Sequence, residues 1–121
     1  MIITSIATFT MRAGQEAGAL KLIRAVRKQA ESEQPGTLVY LVHRVLDAKG
    51  KLTRKLYFYE RYSGKAALNA HLASSSWKAV GDNWPQFFEG TFPKSIDFFG
   101  VKRIAAFERP GSIPSAPFRP R

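Results

Sequence analysis

The chain has 121 residues, 45% of them hydrophobic, which is enough for one domain with a real core. It contains no cysteine, which excludes disulfides, thiolate metal sites and cysteine nucleophiles. Its apolar runs are short and its N-terminus lacks signal-peptide features, which predicts a cytoplasmic protein with no membrane contact. The formal charge of +10 would suit a nucleic acid, but the basic residues are scattered in a pattern typical of a solvated surface, so no nucleic-acid partner is expected.

The first third of the chain predicts a strand followed by an amphipathic helix. Residues 2–11 are rich in Ile, Thr and Phe and alternate loosely, which indicates a strand. From Gln15 to about Ser32 apolar residues recur at three- and four-residue spacing, which is typical of one buried helix face. The helix should end before Pro35-Gly36.

The middle of the chain predicts an antiparallel hairpin. Residues 37–45 and 54–62 are the two strands, and the polar segment 47–51, with Gly50 late in it, is the turn between them. Ser63 is a plausible N-cap for a second helix that begins near Gly64.

The second helix should be interrupted and then followed by a last strand. Three consecutive serines at 74–76 weaken the helical pattern, so the helix is expected to break there and to resume through Trp77, Val80 and Trp84. Residues 96–107 predict the last strand, with a bend at Gly100.

The resulting order, β-α-β-β-α-β, predicts an α+β, ferredoxin-like fold, in which a four-stranded antiparallel sheet carries both helices on one face. Alternation along the third strand places Glu60 with Leu56 and Phe58 toward the helices, and Tyr57 and Tyr59 on the opposite face. An aromatic sheet face is poorly suited to water, so we expect a homodimer formed through it. Residues 1–108 form the predicted domain, and residues 109–121 form a proline-rich extended tail.

Several short motifs, in this order and spacing, resemble those of the antibiotic biosynthesis monooxygenase (ABM) family. They are Glu33-Gln34-Pro35-Gly36 with Leu38 and Tyr40, then Phe58-Tyr59-Glu60-Arg61-Tyr62, then Ala67, His71, Ser74 and Trp77. The resemblance covers roughly residues 2 to 108. It implies a dimeric α+β barrel. Family members include cofactor-independent monooxygenases that oxidise phenolic substrates to quinones, haem-degrading enzymes, and proteins with no assigned reaction.

The haem-degrading branch of the family does not fit this sequence. That branch relies on an Asn in the first strand, a Trp and a later His. Here no Asn occurs in residues 2–11, His71 stands at the position of the Trp, and Gly81 stands at the position of the His. The resemblance therefore implies no haem and, for a cofactor-independent enzyme, no other cofactor.

Glu60 and His71 are the candidate catalytic pair. Glu60 lies three residues before Ser63 on a strand, about 10 Å away, and His71 lies eight residues after it on a helix, about 12 Å away, so a helix that packs back along the strand brings both to similar depth. With the ABM resemblance, His71 would be a general base, oriented by Glu60, that removes a proton from a bound phenol or hydroquinone, which then reacts with O₂. Alternatively, the two side chains only satisfy one another and tie the helix to the sheet.

The aromatic residues around this pair are the candidate substrate-binding walls. They are Tyr40, Trp77, Trp84 and Phe88, although the two tryptophans, seven residues apart, also suit a core. His43 alternates onto the opposite sheet face and is expected in the dimer interface. Two histidines on different faces, with no matching carboxylates, predict no metal site.

Two other functions compete with the monooxygenase interpretation. One is a non-catalytic dimeric barrel that binds a small aromatic molecule or acts in a stress response. The other is an RNA-recognition module, which shares the strand order and stacks bases on third-strand aromatics. The RNP1 pattern is absent, however, and the first strand offers no convincing stacking platform, which disfavours RNA.

Overall fold

The structure is a computed structural model that describes residues 1–112, which form four strands and four helices. In chain order these are β1 (Ile3–Thr10), α1 (Glu16–Glu33), β2 (Thr37–Leu46), β3 (Leu52–Tyr62), α2 (Lys65–Leu72), α3 (Ser75–Asp82), α4 (Trp84–Phe87) and β4 (Asp97–Val101). The strands form one antiparallel sheet in the order β2-β3-β1-β4. The predicted α+β fold, with the helices on one face of the sheet, is confirmed.

Alternation along β3 separates the two faces of the sheet as predicted. Leu56, Phe58 and Glu60 are buried beneath the helices, with 0%, 1% and 5% of their surface exposed. Tyr57 and Tyr59 point the other way. A bulge at Leu38 shifts the β2–β3 register by one residue near the start of β2, so that Tyr40 lies opposite Glu60.

The core under the helices centres on Phe9 of β1. Its ring lies 5.0 Å from that of Phe58, 5.1 Å from that of Trp84 and 5.3 Å from that of Phe88, measured between centroids. Offset and edge-on aromatic contacts of this kind add to the free energy gained by burial. The buried face of α1 is the one predicted from its spacing and comprises Ala19, Ile23, Val26 and Ala30.

The N-cap predicted at Ser63 is wrong. Helix α2 begins at Lys65 after Gly64, without a side-chain cap, and Ser63 is exposed. The predicted break is present but lies at residues 73–74, and the helix that resumes there ends at Asp82 rather than running through Trp84, which begins α4. Ser74 caps α3: its hydroxyl accepts from Trp77 N at 3.3 Å and donates to His71 O at 2.8 Å. Ser74 thus both ends α2 and begins α3.

The last strand is much shorter than the predicted 96–107, and Gly100 pairs with Ser5 inside it. The strand ends at Val101, whose partner is Thr4. Because β1 begins at Ile3, the chain beyond Val101 soon has no neighbouring strand to bond. Residues 102–112 are exposed and contain no strand. The predicted extended tail reaches residue 121, and its part after residue 112 lies outside the described residues.

None of the helices found between residues 1 and 112 has the length and apolar character that a membrane crossing requires.

The two serines allow the helix caps to be compared directly. Ser74→Ala removes the acceptor of the Trp77 N–H and should lower the free energy of unfolding by about 1 kcal/mol. Ser63→Ala is the matched control and should change it by less than about 0.5 kcal/mol, because the Ser63 hydroxyl caps no helix. Urea unfolding of both variants checks this. Equal losses would contradict the assignment of the cap to Ser74.

Candidate active site

A row of side chains crosses the helix-covered face of the sheet at the level of Glu60. Tyr40 of β2 and Ser5 of β1 lie directly opposite Glu60 on its two sides, and Gly100 of β4 lies opposite Ser5. Directly opposed residues share a face of the sheet. Tyr40, Glu60 and Ser5 are all buried, with 9%, 5% and 0% of their surface exposed. The core therefore contains a polar strip where an apolar one would be expected.

His71 lies on α2 above this strip and is enclosed by aromatic rings. Its ring centroid is 5.2 Å from that of Tyr40, 5.5 Å from that of Tyr62 and 6.2 Å from that of Trp77, with the Trp77 ring stacked on it. Only 2% of the residue is exposed. The sequence prediction that Tyr40 and Trp77 lie beside His71 agrees with these distances.

The partner of the imidazole is Gln34, not Glu60. The Nδ1 atom of His71 lies 2.9 Å from Oε1 of Gln34, the residue that follows α1. An amide oxygen only accepts hydrogen bonds, so this contact places the hydrogen on Nδ1 and leaves the lone pair on Nε2. The expected orientation of His71 by Glu60 is thus corrected, because Gln34 performs it.

Glu60 is held by Tyr62 instead. The Tyr62 hydroxyl donates to Oε1 of Glu60 at 2.5 Å. Tyr62 is two residues further along β3, and alternation puts both side chains on the same face. Since the Tyr62 ring also contacts His71, one tyrosine links the carboxyl group to the imidazole although these two groups form no direct hydrogen bond.

Burial moves the pKa values of these groups in opposite directions. It lowers the pKa of His71 to about 4. It raises the pKa of Glu60 to about 7, although the hydrogen bond from Tyr62 acts the other way. Burial and the nearby Glu60 charge raise the pKa values of Tyr40 and Tyr62. At neutral pH the imidazole is therefore uncharged, and Glu60 is close to the midpoint of its titration.

His71 Nε2 and Ser5 Oγ both have unused hydrogen-bonding capacity. Nε2 of His71 makes no hydrogen bond to any described residue. Within residues 1–112 the fully buried side-chain atoms without a partner are Ser5 Oγ and Arg61 Nε. A lone pair without a hydrogen bond, such as that of Nε2, is what a general base requires.

The other two predicted wall residues lie deeper in the core. Trp84 and Phe88 are 1% and 0% exposed. Their rings contact each other and Phe9, and Trp84 also contacts Phe92. Neither ring contacts His71 in the described structure. Their role in substrate binding stays a prediction, and their observed surroundings are those of core residues.

Sequence reasoning overlooked two residues of the site. Tyr62 could have been found, because it alternates onto the same face as Glu60 and reaches its carboxyl group. Gln34 lies 37 positions before His71, so no spacing rule relates the two, and its only sequence signal is its place in the motif of residues 33–36.

A large groove lies on the opposite, open face of the sheet. Its volume is about 1390 Å³, and its walls include Leu41, His43, Tyr57 and Tyr59 of the sheet and part of the segment 103–112. Arg103 of that segment donates to the Tyr59 hydroxyl at 3.0 Å. His43 lies on this face as predicted, with Nδ1 3.1 Å from the Tyr57 carbonyl oxygen. In the part of the chain that the structure describes, no three metal-ligating side chains converge.

The fold, the buried Glu60–Tyr62 pair and the partly buried Gln34–His71 pair define an α+β protein with an aromatic-lined cluster of titratable groups beneath its helices. The chain belongs to the antibiotic biosynthesis monooxygenase family, whose model matches residues 2–82. The resemblance inferred from the motifs is thereby confirmed. Membership supports a monooxygenase-type function in general terms.

Solved structures share the fold at low sequence identity. A protein from Pseudomonas aeruginosa is 19% identical, with a TM-score of 0.70 over 86% of this chain and 95% of that one. A candidate antibiotic biosynthesis monooxygenase from Caulobacter crescentus is 20% identical, with a TM-score of 0.70 over 86% and 91% of the two chains. A protein from Mycobacterium tuberculosis is 17% identical, with a TM-score of 0.69 over 89% and 100%. No curated protein matches the chain.

Proposed function

We propose that the protein is a cofactor-independent monooxygenase that oxidises a phenolic or hydroquinone-type small molecule with O₂, with His71 as the base. The observation that carries this proposal is the state of His71: uncharged, fixed through Nδ1, free at Nε2 and enclosed by aromatic rings. A flat aromatic ligand suits such walls.

The proposed reaction begins with transfer of the phenolic proton to Nε2 of His71. The resulting anion is electron-rich enough to give an electron to O₂, and recombination of the two radicals forms a carbon–oxygen bond. Loss of water from the hydroperoxide then leaves a quinone. One oxygen atom enters the product, the other leaves as water with two hydrogens from the substrate, and the substrate supplies all four electrons.

The lowered pKa of His71 constrains the substrate. A base whose pKa is about 4 is weak toward an ordinary phenol, whose pKa is ~10. Attraction between the imidazolium and the new phenolate offsets part of this gap. The proposal therefore favours phenols acidified by a conjugated carbonyl group.

Oxygen uptake by the purified protein tests the proposal. A panel of hydroquinones and acidic phenols is offered in the presence of a metal chelator, and the products are identified by mass spectrometry with ¹⁸O₂. One ¹⁸O atom per quinone and no hydrogen peroxide are expected. Peroxide without label in the product would indicate simple autoxidation and overturn the proposal.

A non-catalytic ligand-binding role is the alternative, and the mutual hydrogen bonding of Glu60 and Tyr62 favours it. Glu60 and Tyr62 satisfy each other, and both are buried. A pair of this kind needs no chemistry to explain it. Binding of the panel compounds without any oxygen uptake would support this role over the catalytic one.

The protein is proposed to act as a homodimer through the open sheet face. One row across that face, namely Leu41, Tyr59, Ile6 and Phe99, is entirely apolar or aromatic, and Phe99 is 50% exposed. Such a face is the kind that a second copy covers.

A charge placed in that row should break the dimer. Leu41→Glu is expected to raise the dissociation constant at least about tenfold, because the interface would bury an unpaired carboxylate. Ala48→Glu, in the exposed β2–β3 turn, adds the same charge away from the face and should leave the dimer intact. Sedimentation velocity distinguishes them; a wild-type monomer, or two equally dimeric variants, would rule out this interface.

A further inference from the structure

The loop between α1 and β2 is held in place by its own backbone. Gln34 closes α1 with its N–H bonded to the Ala30 carbonyl oxygen at 3.1 Å, and its carbonyl oxygen accepts from Thr37 N at 2.9 Å. Both ends of the Gln34 backbone are therefore bonded, which fixes the direction in which its side chain leaves the chain.

The same loop packs closely on the helix that carries His71. A Cβ atom on Gly36 would lie 2.6 Å from Cβ of Ala67, which is far too close, so only glycine permits this approach. The Gly36 carbonyl oxygen also accepts from Ser63 N at 2.8 Å. Ala67 lies four residues before His71 on α2, one helical turn away. The tight contact thus sets the distance between Gln34 and His71.

The side chain of Gln34 completes this arrangement. Its Oε1 atom accepts from His71 Nδ1 at 2.9 Å and from Thr37 Oγ1 at 3.4 Å. In this amide orientation the Thr37 hydroxyl and the imidazole Nδ1–H both donate to Oε1, so the hydrogen of the neutral imidazole lies on Nδ1.

We propose that Gln34 is a positioning residue that holds His71 in the Nδ1–H tautomer and thereby directs the Nε2 lone pair toward the ligand. This proposal rests on the proposed role of His71 as base. Without the Gln34 oxygen the two neutral tautomers would compete, and every molecule with its hydrogen on Nε2 would be unable to accept the substrate proton.

A neutral hydrogen-bond acceptor at residue 34 affects the charge of His71 differently from a carboxylate. The titratable groups facing His71 are Tyr40 and Tyr62 of the sheet, with Glu60 beyond Tyr62; the α1–β2 loop presents the neutral Gln34 and Thr37, and α3 presents Trp77. No described carboxylate bonds the imidazole directly. A glutamine therefore orients the ring without stabilising its charged form, as a carboxylate would.

NMR of the histidine ring nitrogens tests the proposal without any substrate. The chain has only two histidines, so ¹⁵N-histidine labelling with a His43→Gln variant assigns both rings. Wild-type His71 should show a protonated Nδ1 and a lone pair on Nε2. Gln34→Leu, similar in size but without an acceptor, should show a mixture of tautomers or the Nε2–H form.

Gln34→Glu gives a second, opposite readout. It keeps an acceptor, so the Nδ1–H tautomer should persist, but the carboxylate should raise the titration midpoint of His71 by about one to three pH units. This variant covers the case in which Gln34→Leu does not fold. An Nε2–H tautomer in the wild type, or an unchanged tautomer and midpoint in the variants that fold, would overturn the proposal.

The test separates this inference from the proposed function. If Gln34→Leu changes the tautomer while no panel compound is oxidised by the wild type, Gln34 positions the ring but the monooxygenase proposal fails. If oxidation occurs and the tautomer is indifferent to residue 34, His71 can still act as base but Gln34 does not position it.

Discussion

His71→Asn is expected to lower the rate of oxygen uptake about 10²- to 10⁴-fold, which is the usual contribution of a general base. The asparagine amide nitrogen takes nearly the place of Nδ1 and can still donate to Gln34, whereas the lone pair of Nε2 is lost. The variant therefore removes the proposed base while it keeps the hydrogen bond that ties α2 to the α1–β2 loop. The fall should appear in kcat more than in KM, because the aromatic walls remain.

His43→Asn is the matched control for this variant. It makes the same chemical change at a histidine on the opposite sheet face, which is the proposed dimer face. The asparagine amide can still donate to the Tyr57 carbonyl oxygen, so oxygen uptake should stay within about twofold of wild type. Circular dichroism and sedimentation establish that both variants fold and assemble alike. Undiminished turnover in folded His71→Asn would exclude His71 as the base and leave it a structural residue.

The sheet could be predicted from the sequence because alternation is a local property. The pattern of Leu56, Phe58 and Glu60 against Tyr57 and Tyr59 depends only on the two-residue period of a strand, and the structure places the first set under the helices. The buried face of α1 could be predicted for the same reason, from its three- and four-residue spacing. Each of these periods is fixed by backbone geometry before any tertiary contact forms.

The ends of elements could not be predicted in this way, because they depend on neighbours. Strand β4 ends at Val101 where β1 ceases to provide a partner, and the sequence beyond Val101 carries no sign of this. Both Ser63 and Ser74 precede helical segments. Only Ser74 has its hydroxyl within reach of a free N–H of the following helix.

The bonding partners within the site were the least predictable feature. Counting along strand and helix correctly brought Glu60 and His71 to one region, but a hydrogen bond is decided over a few tenths of an ångström. Two nearer groups, Tyr62 and Gln34, compete successfully for the carboxyl group and the imidazole. Sequence spacing therefore located the site, whereas the roles within it required the structure.

With these partners, Glu60 and His71 are both neutral between about pH 4 and pH 7. Glu60 is bonded by a hydroxyl and His71 by an amide, and neither partner is charged. Burial consequently favours the protonated carboxyl group and the deprotonated imidazole. A charged pair in the same place would have had pKa values shifted in the opposite senses, so the pH dependence of stability reports directly on which partners are present.

Glu60→Gln should therefore change how stability depends on pH. The wild-type Glu60 pKa is about 7 in the folded state, above its ordinary value of 4.5. Its contribution to stability is thus complete below pH 4.5 and is lost as the pH rises through 7. The lost amount is on the order of 3 kcal/mol. The amide that replaces the carboxyl group in this variant has no proton to lose, and its oxygen can still accept from Tyr62.

The contribution of His71 to the free energy of unfolding depends on pH in the opposite sense. Its folded pKa is about 4, below its ordinary value of 6.5, so its contribution is complete above pH 6.5 and is lost as the pH falls toward 4. Between pH 4.5 and 6.5 the two contributions of the wild type change in opposite directions and nearly cancel. In Glu60→Gln only that of His71 remains, so the free energy of unfolding should rise with pH relative to wild type, by about 3 kcal/mol between pH 4.5 and 7.

Urea unfolding of both proteins across this pH range measures the difference. Glu108→Gln, which removes one negative charge from an exposed position, is the control and should follow the wild-type profile. A constant offset between Glu60→Gln and wild type at every pH in this range would mean that Glu60 is ionised throughout in the fold. Such a result would contradict the neutral, Tyr62-bonded carboxyl group.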